Sequence, residues 1–337
     1  MEWRTKLTEL FGCKYPIIEG ALAGFGTWNL AAAVSEAGAT GCLTAHVYKT
    51  PEMLREAIGK LREATKNPFM VNISIGVSPN MDEMLDVCIK EKVPVIETSV
   101  FRPDAYAGRI KESGIKWIHK GATVDFIKHA ERLGADAVVL VGADGYGFKS
   151  IRQLPTFTSI AWARRQIGIP LIAAGGIGDA RTMLAALMAG ADGVYLGSAF
   201  MATKECSLSE NIKRNMISAS PDHPDLIREL LASPNSDDYK KVMELKGKMP
   251  LDKWLSALEK VMLKHDDWRD EDARLIQPEK LRQDPDAIPS LGSRPKGPFS
   301  FVCGYIDEIL TVQEFIDNMV QEAEQIMTDI VRKWRLV

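Results

Sequence analysis

Two stretches of the chain follow one plan, LGADAVVLVG at residues 133–142 and AGADGVYLGS at residues 189–198. Each begins where an amphipathic helix ends, turns through Gly-Ala-Asp and enters a short run of apolar residues. A helix that leads directly into an apolar strand is the repeating unit of a parallel sheet covered by helices. The two stretches therefore predict βα units.

The same apolar pattern recurs along the first two hundred residues. The starts of successive runs are 21 to 33 residues apart, which is the length of a strand, a helix and two short loops. There are eight runs, at residues 16–20, 39–45, 69–74, 95–100, 116–121, 137–142, 170–176 and 193–199. Closure at eight units predicts an α/β fold of the (β/α)8 TIM-barrel type, with an open doubly wound sheet as the alternative.

Helices are predicted between the runs, and the character of the chain changes after residue 203. The 3–4 spacing of apolar residues and the capping residues predict helices at residues 51–64, 123–133, 179–189 and 312–334. A charged run, KHDDWRDEDAR at residues 264–274, is typical of a solvated helix face. We therefore expect residues 1–203 and 299–337 to form a barrel with a closing helix, and residues 204–298 to form a helical insert or lid.

Composition excludes several classes of protein. The chain has 42 basic and 45 acidic side chains, so its formal charge is −3, and its pI is about 6.0. This balance gives no reason to expect nucleic acid or an anionic membrane as a partner. The longest uncharged stretch, residues 20–35, is too short to span a bilayer, and the first ten residues lack the apolar core of a signal peptide. We expect a soluble, cytoplasmic protein that acts on a small molecule; a homo-oligomer is left open.

Cysteine and histidine give no metal or disulfide pattern. The five cysteines contain no CxxC pair, and the five histidines contain no HxH or HxxxH pair. We therefore expect neither a disulfide framework nor a metal site.

A phosphate site is predicted from the last two strand ends. In a (β/α)8 barrel the active site lies at the C-terminal ends of the strands, and the loops after strands seven and eight often bind phosphate. These loops read AAGGIGDA at residues 173–180 and LGSAF at residues 196–200. Gly175, Gly176 and Gly197 let backbone amides approach an anion, Ser198 adds a hydroxyl, and a helix begins near Asp179.

The other strand ends supply a flat surface and polar groups. The sequence EGALAG at residues 19–24 is small enough to let a flat ring lie against the backbone. Asn72 and Lys120 lie near the ends of the third and fifth runs, where the predicted strands end, and Gly142 is the last residue of the sixth run. A buried lysine beside a flat heterocycle would stabilise the negative charge that the ring gains on reduction. A purely structural role for Asn72 or Lys120 is the alternative.

These residues together resemble the nitronate monooxygenase (2-nitropropane dioxygenase-like) flavoproteins. The resemblance rests on PIIEGALAG, VNIS, WIHKGAT, AAGGIGDARTMLAAL, GVYLGSAFMAT and the C-terminal FVCGYIDEILTVQEFIDNMVQEAE. It implies a (β/α)8 barrel with non-covalently bound FMN. The cofactor-binding residues that it implies are Ala21 and Leu22 beside the ring, Asn72, Lys120 and Gly142 close by, and Gly175, Gly176, Gly197 and Ser198 around the phosphate.

One loop departs from the family pattern. Members that oxidise nitronates, like the related enoyl reductases, carry GxEAGGHxG after strand six, with a histidine as acid or base. Here the loop reads GADGYGFKS, and Phe148 stands in place of that histidine. A phenyl ring carries no proton, so this position cannot deprotonate a neutral nitroalkane, although oxidation of an anionic nitronate stays possible. The catalytic candidates are then His46, Tyr146 and Lys120; His119 should face the helices if Lys120 faces the ring.

Three functions follow from the sequence. The first is an FMN-dependent oxidoreductase that oxidises a small anionic substrate and passes electrons through the flavin to oxygen or another acceptor. The second is an NAD(P)H-linked flavin reductase or dehydrogenase of an enoyl thioester, with the nicotinamide bound transiently because no GxGxxG fingerprint follows a strand. The third is a flavin-binding barrel that has lost catalysis.

Overall fold

Eight parallel strands form a nearly closed barrel in the computed structural model, which confirms the (β/α)8 prediction. The structure describes residues 2–76, 78, 80–147, 150, 152–222, 241, 244, 245, 248–250, 253, 257 and 300–334. The strands are β1 (Ile17–Glu19), β2 (Gly41–Thr44), β3 (Phe69–Ser74), β4 (Val95–Ser99), β5 (Lys116–Gly121), β6 (Ala137–Val141), β7 (Leu171–Ala174) and β8 (Gly193–Leu196). Each lies within one of the eight apolar runs.

Helices follow the strands and cover the outside of the barrel. They are α1 (Lys6–Phe11), α2 (Trp28–Glu36), α3 (Pro51–Ala64), α4 (Met81–Lys90), α5 (Asp104–Glu112), α6 (Val124–Leu133), α7 (Thr156–Ala163), α8 (Ala180–Met188), α9 (Ser198–Met201), α10 (Glu210–Ser218) and α11 (Val312–Trp334). The predicted helices at 51–64 and 312–334 have the observed bounds. Thr123 and Asp179, predicted as first helical residues, are instead N-caps with extended backbones, and each accepts a hydrogen bond from the first turn.

The barrel is held less tightly between β1 and β2 than elsewhere. Strand β1 pairs with β8 through three residues, but it meets the second strand through a single bridge between Ile18 and Thr40. The Glu19 side chain lies at this seam, fully buried, and its Oε2 accepts a hydrogen bond from the Cys42 amide at 2.9 Å. The Glu19 carboxyl oxygen thus accepts the hydrogen bond that a backbone carbonyl of the neighbouring strand would otherwise accept. Burial raises the pKa of Glu19 well above its ordinary value, which favours the protonated acid.

The N-terminal end of the barrel is filled by apolar side chains. Leu7 and Phe11 of α1 pack with an inner cluster that includes Ile18, Met70 and Ile118. Helix α1 lies so close to the barrel that a Cβ on Gly193 would stand 2.2 Å from Leu7 Cδ2. The opposite end, where the strands terminate, is where polar side chains enter the interior.

The C-terminal segment returns to the barrel. A 3-10 turn at Phe301–Tyr305 lies on the loops after β6, β7 and β8, and α11 packs against α2 and α8. The predicted closing helix is therefore present. Most of the predicted insert at 204–298 lies outside the described residues; α10 belongs to it and packs against the 3-10 turn. The division of the chain into these two parts stays a prediction.

Candidate active site

A buried polar layer crosses the barrel interior near the C-terminal ends of the strands. Its centre is formed by Lys120 of β5, Tyr195 of β8 and Glu97 of β4. Glu97 is fully buried and Tyr195 is 6% exposed, whereas the Lys120 side chain is 18% exposed and therefore lies closest to the mouth. A charged pair in this position must be stabilised by its own contacts, because burial removes water from both groups.

The hydrogen bonds of this layer converge on one phenol oxygen. Lys120 Nζ lies 2.8 Å from Tyr195 Oη, and Tyr195 Oη lies 3.0 Å from each carboxylate oxygen of Glu97. The ammonium also lies 3.5 Å from Glu97 Oε1 and 4.6 Å from the centroid of the Tyr195 ring. Burial, and then the charge of Glu97, raise the pKa of Tyr195 well above its ordinary value, so the phenol is neutral.

The loop after β1 is fixed to this layer. The Ala21 amide donates to Tyr195 Oη at 2.6 Å, and the Leu22 amide donates to Thr44 Oγ1 at 3.1 Å. Leu22 lies beside Gly197 in the loop after β8. Among the described residues, a Cβ added to Gly197 would contact Leu22 Cδ2 alone, at 3.7 Å. Ala21, Leu22, Lys120 and Gly197, all predicted site residues, are therefore brought together.

Asn72 lies deeper than predicted. It occupies the middle of β3, fully buried, rather than the end of the strand. Its side-chain amide donates to Ser99 Oγ at 3.1 Å and accepts from Ser74 Oγ at 2.9 Å. Because Asn72 is the register partner of Glu97, and Ser99 that of Lys120, these residues occupy neighbouring strands. Asn72 is thus held by protein contacts beneath the mouth.

The glycines after β7 have two different consequences. Gly175 and Gly176 both have positive φ, at 101° and 68°, a conformation that favours glycine. A Cβ on Gly175 would stand 2.8 Å from the Gly145 amide nitrogen, and one on Gly176 would stand 2.8 Å from Asp144 Cβ. These glycines therefore allow the loops after β6 and β7 to pack together, in addition to the phosphate role predicted for them.

Gly142 is likewise enclosed by its neighbours. A Cβ there would stand 2.1 Å from Thr156 Oγ1, and that hydroxyl donates to the Gly175 carbonyl at 2.9 Å. Tyr146, further along the same loop, is 37% exposed. Phe148, the residue predicted in place of the family histidine, lies outside the described residues.

Ser198 is buried under the C-terminal segment. It is 7% exposed, and its Oγ accepts a hydrogen bond from the Ser300 amide at 3.1 Å. The Phe301 amide donates to the Asp144 carbonyl at 3.3 Å, and Val302 occupies the space beside Gly178. The segment that follows the predicted insert therefore covers the loops predicted to bind phosphate.

The two histidines at strand ends have different surroundings. His119 faces away from the interior, where it contacts Thr98 Oγ1 at 2.9 Å and the edge of Trp117. Burial and nearby positive charge lower its pKa to about 3, so it is a neutral residue packed outside the polar layer. His46 lies in a 3-10 turn, Ala45–Val47, directly after β2. Its Nδ1 is buried without a hydrogen-bond partner in the described part of the chain, and burial lowers its pKa.

Sequence reasoning missed Glu97 and Tyr195. Both carried a signal, because Glu97 is a charged residue in a fully buried strand and Tyr195 is a residue with a polar hydroxyl in another. Their convergence on Lys120 depends on the register between strands, which the sequence alone did not give.

Among the described residues, no group of three histidine, cysteine, aspartate or glutamate side chains could hold a metal ion. In the same part of the chain, no helix is both long enough and apolar enough to cross a bilayer.

Comparison with known proteins gives one family. The family model of nitronate monooxygenase matches residues 4–84 and 71–234. A probable nitronate monooxygenase from Staphylococcus aureus is 29% identical over 259 residues, which cover 64% of this chain and 73% of that protein. A Mycobacterium tuberculosis protein, named (3aS,4S,5R,7aS)-5-hydroxy-7a-methyl-1-oxo-octahydro-1H-indene-4-carboxyl-CoA dehydrogenase, is 32% identical over 226 residues, covering 66% of this chain and 62% of that protein.

Solved structures extend the likeness over the whole chain. FabK from Thermotoga maritima superposes with a TM-score of 0.75 and 31% identity, covering 98% of this chain and 99% of that one. A nitroalkane oxidase from Streptomyces ansochromogenes superposes with a TM-score of 0.70 at 22% identity, covering 96% of this chain and all of that one, which is a likeness of fold.

Proposed function

Because the chain belongs to the nitronate monooxygenase family, whose members are flavin enzymes, we propose that it is an FMN-dependent oxidoreductase that oxidises a small anionic substrate. The electrons pass through the flavin to oxygen or another acceptor. The observation that carries the proposal is Lys120, a partly exposed cation at the mouth of the barrel, near the small-residue loop after β1 and near Gly197, where among the described residues an added Cβ would meet Leu22 alone.

The residues at the mouth fit a flat group with a phosphate tail. Among the described residues, the position where a Cβ of Gly197 would stand is bordered by Leu22 alone, so a flat group can approach the backbone there. Gly176 and Ser198 lie on the two loops at which barrels of this type bind phosphate. In this proposal Ala21, Leu22, Asn72, Lys120 and Gly142 surround the ring, and Gly175, Gly176, Gly197 and Ser198 surround the phosphate.

Lys120, His46 and Tyr146 have distinct tasks in the proposed reaction. FMN, when bound, supplies a two-electron acceptor. Lys120 attracts an anionic substrate and stabilises negative charge that develops beside it. His46 has a buried nitrogen without a hydrogen-bond partner among the described residues, and burial lowers its pKa, so it is a neutral base suited to take a proton from a substrate. Tyr146, partly exposed in the loop after β6, is suited to donate a hydrogen bond to a substrate oxygen.

A second candidate function is an NAD(P)H-linked reductase or dehydrogenase of an enoyl thioester. It is favoured by the 32% identity to a protein named as a carboxyl-CoA dehydrogenase and by the 31% identity to FabK across nearly the whole chain. In the dehydrogenase direction Lys120 and His46 would keep the same tasks, with the thioester carbonyl in place of the anion, whereas in the reductase direction the proton would have to move to the substrate.

One experiment separates these candidates. The purified protein is reconstituted with FMN and titrated anaerobically with alkyl nitronates, NADH, NADPH and enoyl thioesters, while the flavin absorbance is followed. Bleaching by nitronates supports the first function, and bleaching by a nicotinamide with reoxidation by an enoyl thioester supports the second. A protein that binds no flavin under any of these conditions would overturn both.

The loop after β6 has its own test. If Phe148 is the reason that neutral nitroalkanes are poor substrates, Phe148→His should raise turnover of a neutral nitroalkane while leaving turnover of the nitronate anion nearly unchanged. An unchanged ratio of the two rates would mean that the proton acceptor lies elsewhere, with His46 as the remaining candidate.

A further inference from the structure

The phenol of Tyr195 uses all of its hydrogen-bonding capacity inside the barrel. A tyrosine hydroxyl donates one hydrogen bond and accepts two. The Ala21 amide and the Lys120 ammonium are donors only, at 2.6 and 2.8 Å, so they occupy the two acceptor positions. The phenol proton must then be donated to Glu97, at 3.0 Å from each of its oxygens.

This assignment fixes the charges around it. Glu97 accepts from Tyr195 and lies 3.5 Å from the ammonium, so it is the buried counter-ion of Lys120. Because Glu97 is fully buried while Lys120 reaches toward the mouth, the pair presents its positive end to the site. The ammonium lies beside the hydroxyl end of the Tyr195 ring, 4.6 Å from the ring centroid.

The same hydroxyl joins two parts of the site that are far apart in sequence. Through Ala21 it holds the loop after β1, and through Lys120 it holds the cation on β5. We propose that Tyr195, with Glu97, is a positioning residue that couples this loop to Lys120 and so sets both the affinity and the reduction potential of the bound flavin. The inference rests on the proposed function and deepens it, because it concerns how the chain holds the groups next to the flavin.

Removal of the hydroxyl tests the coupling. Tyr195→Phe leaves the Ala21 amide, the ammonium and the Glu97 carboxylate each without one partner, so the loop and the lysine are no longer held together. We expect the Kd for FMN to rise at least about tenfold, which corresponds to about 1.4 kcal/mol, and the midpoint potential to become more negative because the ammonium is less fixed beside the flavin. Fluorescence titration of the apoprotein and spectroelectrochemistry measure the two quantities.

Tyr15→Phe is the matched control. Tyr15 is as buried as Tyr195, at 7% against 6%, and has the Lys14 ammonium 4.7 Å from its ring centroid. It precedes β1 and so lies at the opposite end of the barrel. Its substitution should change neither the FMN affinity nor the potential. If Tyr195→Phe gives the same values as Tyr15→Phe, the inference is wrong.

A double variant separates positioning from a structural effect. In a Lys120→Met background, Tyr195→Phe should cause no further change in potential, because the cation through which it acts is gone. Additive changes would overturn the coupling.

Glu97→Gln supplies an independent test if Tyr195→Phe fails to fold. The Gln Oε1 can still accept the phenol proton, and its amide can face Cys42 Sγ, which lies 4.0 Å from Glu97 Oε2. The negative charge alone is lost, so the potential at pH 6.5 should become more positive. An unchanged or more negative potential would contradict the arrangement.

Failure of the wild-type protein to bind any flavin would overturn the proposed function together with this inference, whereas normal binding with unresponsive variants would overturn this inference alone.

Discussion

His46 is the residue whose surroundings best match those of a base. Its Nδ1 has no partner in the described parts of the chain, and burial lowers its pKa below the ordinary 6.5. The imidazole is therefore neutral at pH 7 and loses its ability to accept a proton only when the pH falls below that lowered pKa. His46→Ala should reduce single-turnover flavin reduction by a neutral carbon acid about a hundredfold and remove an acidic limb that lies below pH 6.5.

Stopped-flow measurement of flavin reduction between pH 4.5 and 8 checks this. His129→Ala is a suitable control, since His129 is on α6 and pairs with Asp104 at 2.8 Å. Full retention of the reduction rate in His46→Ala would remove His46 from the catalytic residues.

Gly197 offers a second prediction at the scale of one residue. Within the described residues, a Cβ there meets Leu22 Cδ2 alone, at 3.7 Å, and the backbone φ of −99° suits any residue. Gly197→Ala should therefore leave thermal unfolding nearly unchanged but weaken FMN binding at least about tenfold, because the methyl group fills space that the proposal assigns to the cofactor.

Gly59→Ala, in α3 with nothing within 4 Å of the added Cβ, controls for a change of glycine to alanine elsewhere. Equal FMN affinities for the two variants and the wild type would show that the cofactor does not lie against Gly197.

At the scale of elements, the seam between β1 and β2 depends on one buried carboxyl. Burial raises the pKa of Glu19, so its contribution to stability is complete below the unfolded value of 4.5 and is lost as the pH rises through the raised pKa. Each unit by which the folded-state pKa exceeds the unfolded value corresponds to about 1.4 kcal/mol in the free energy of unfolding. Glu19→Gln keeps an oxygen for the Cys42 amide but has no proton to lose.

We therefore expect the urea midpoints of wild type and Glu19→Gln to agree at pH 4 and to separate at pH 9, with the variant more stable. Parallel midpoints across that range would mean that Glu19 does not ionise with a raised pKa in the folded protein.

The elements also explain how much of the site the sequence predicts. Apolar runs locate all eight strands, since a parallel strand buried on both faces reads as continuous apolar sequence. Lys120 is found because it lies near the end of such a run. Glu97 is not found in this way, because it reaches the Lys120 ammonium through the pairing of β4 with β5. That pairing is set by the packing of the whole barrel. The sequence predicts Gly142 and Gly175 as cofactor contacts. In the structure Gly142 packs closely against Thr156 and Gly175 against Gly145, and local sequence does not show such tertiary contacts.

At the scale of the whole molecule, α11 packs the C-terminal segment against the barrel and contacts the N-terminal segment. Val312, Ile316, Met319, Val320 and Ala323 are buried against the barrel, and Trp3 Nε1 donates to Glu324 at 3.1 Å. Ile316 is fully buried, so Ile316→Ala should lower the free energy of unfolding by about 2–5 kcal/mol.

Ile330 on the same helix is 39% exposed, and Ile330→Ala should change stability by no more than about 0.5 kcal/mol. Urea unfolding followed by circular dichroism measures both. Equal effects would mean that α11 does not pack on the barrel as described.

Leu7 and Phe11 close the barrel at its N-terminal end and apolar side chains fill the interior behind the polar layer, so in the part of the chain that the structure describes a ligand reaches Lys120 from the mouth alone. Whatever enters through the mouth must leave by the same opening. An electron donor and an electron acceptor that both need the deepest position must then take turns, with the first product departing before the second reactant arrives. Double-reciprocal plots at several acceptor concentrations should accordingly be parallel, the kinetic signature of a ping-pong exchange.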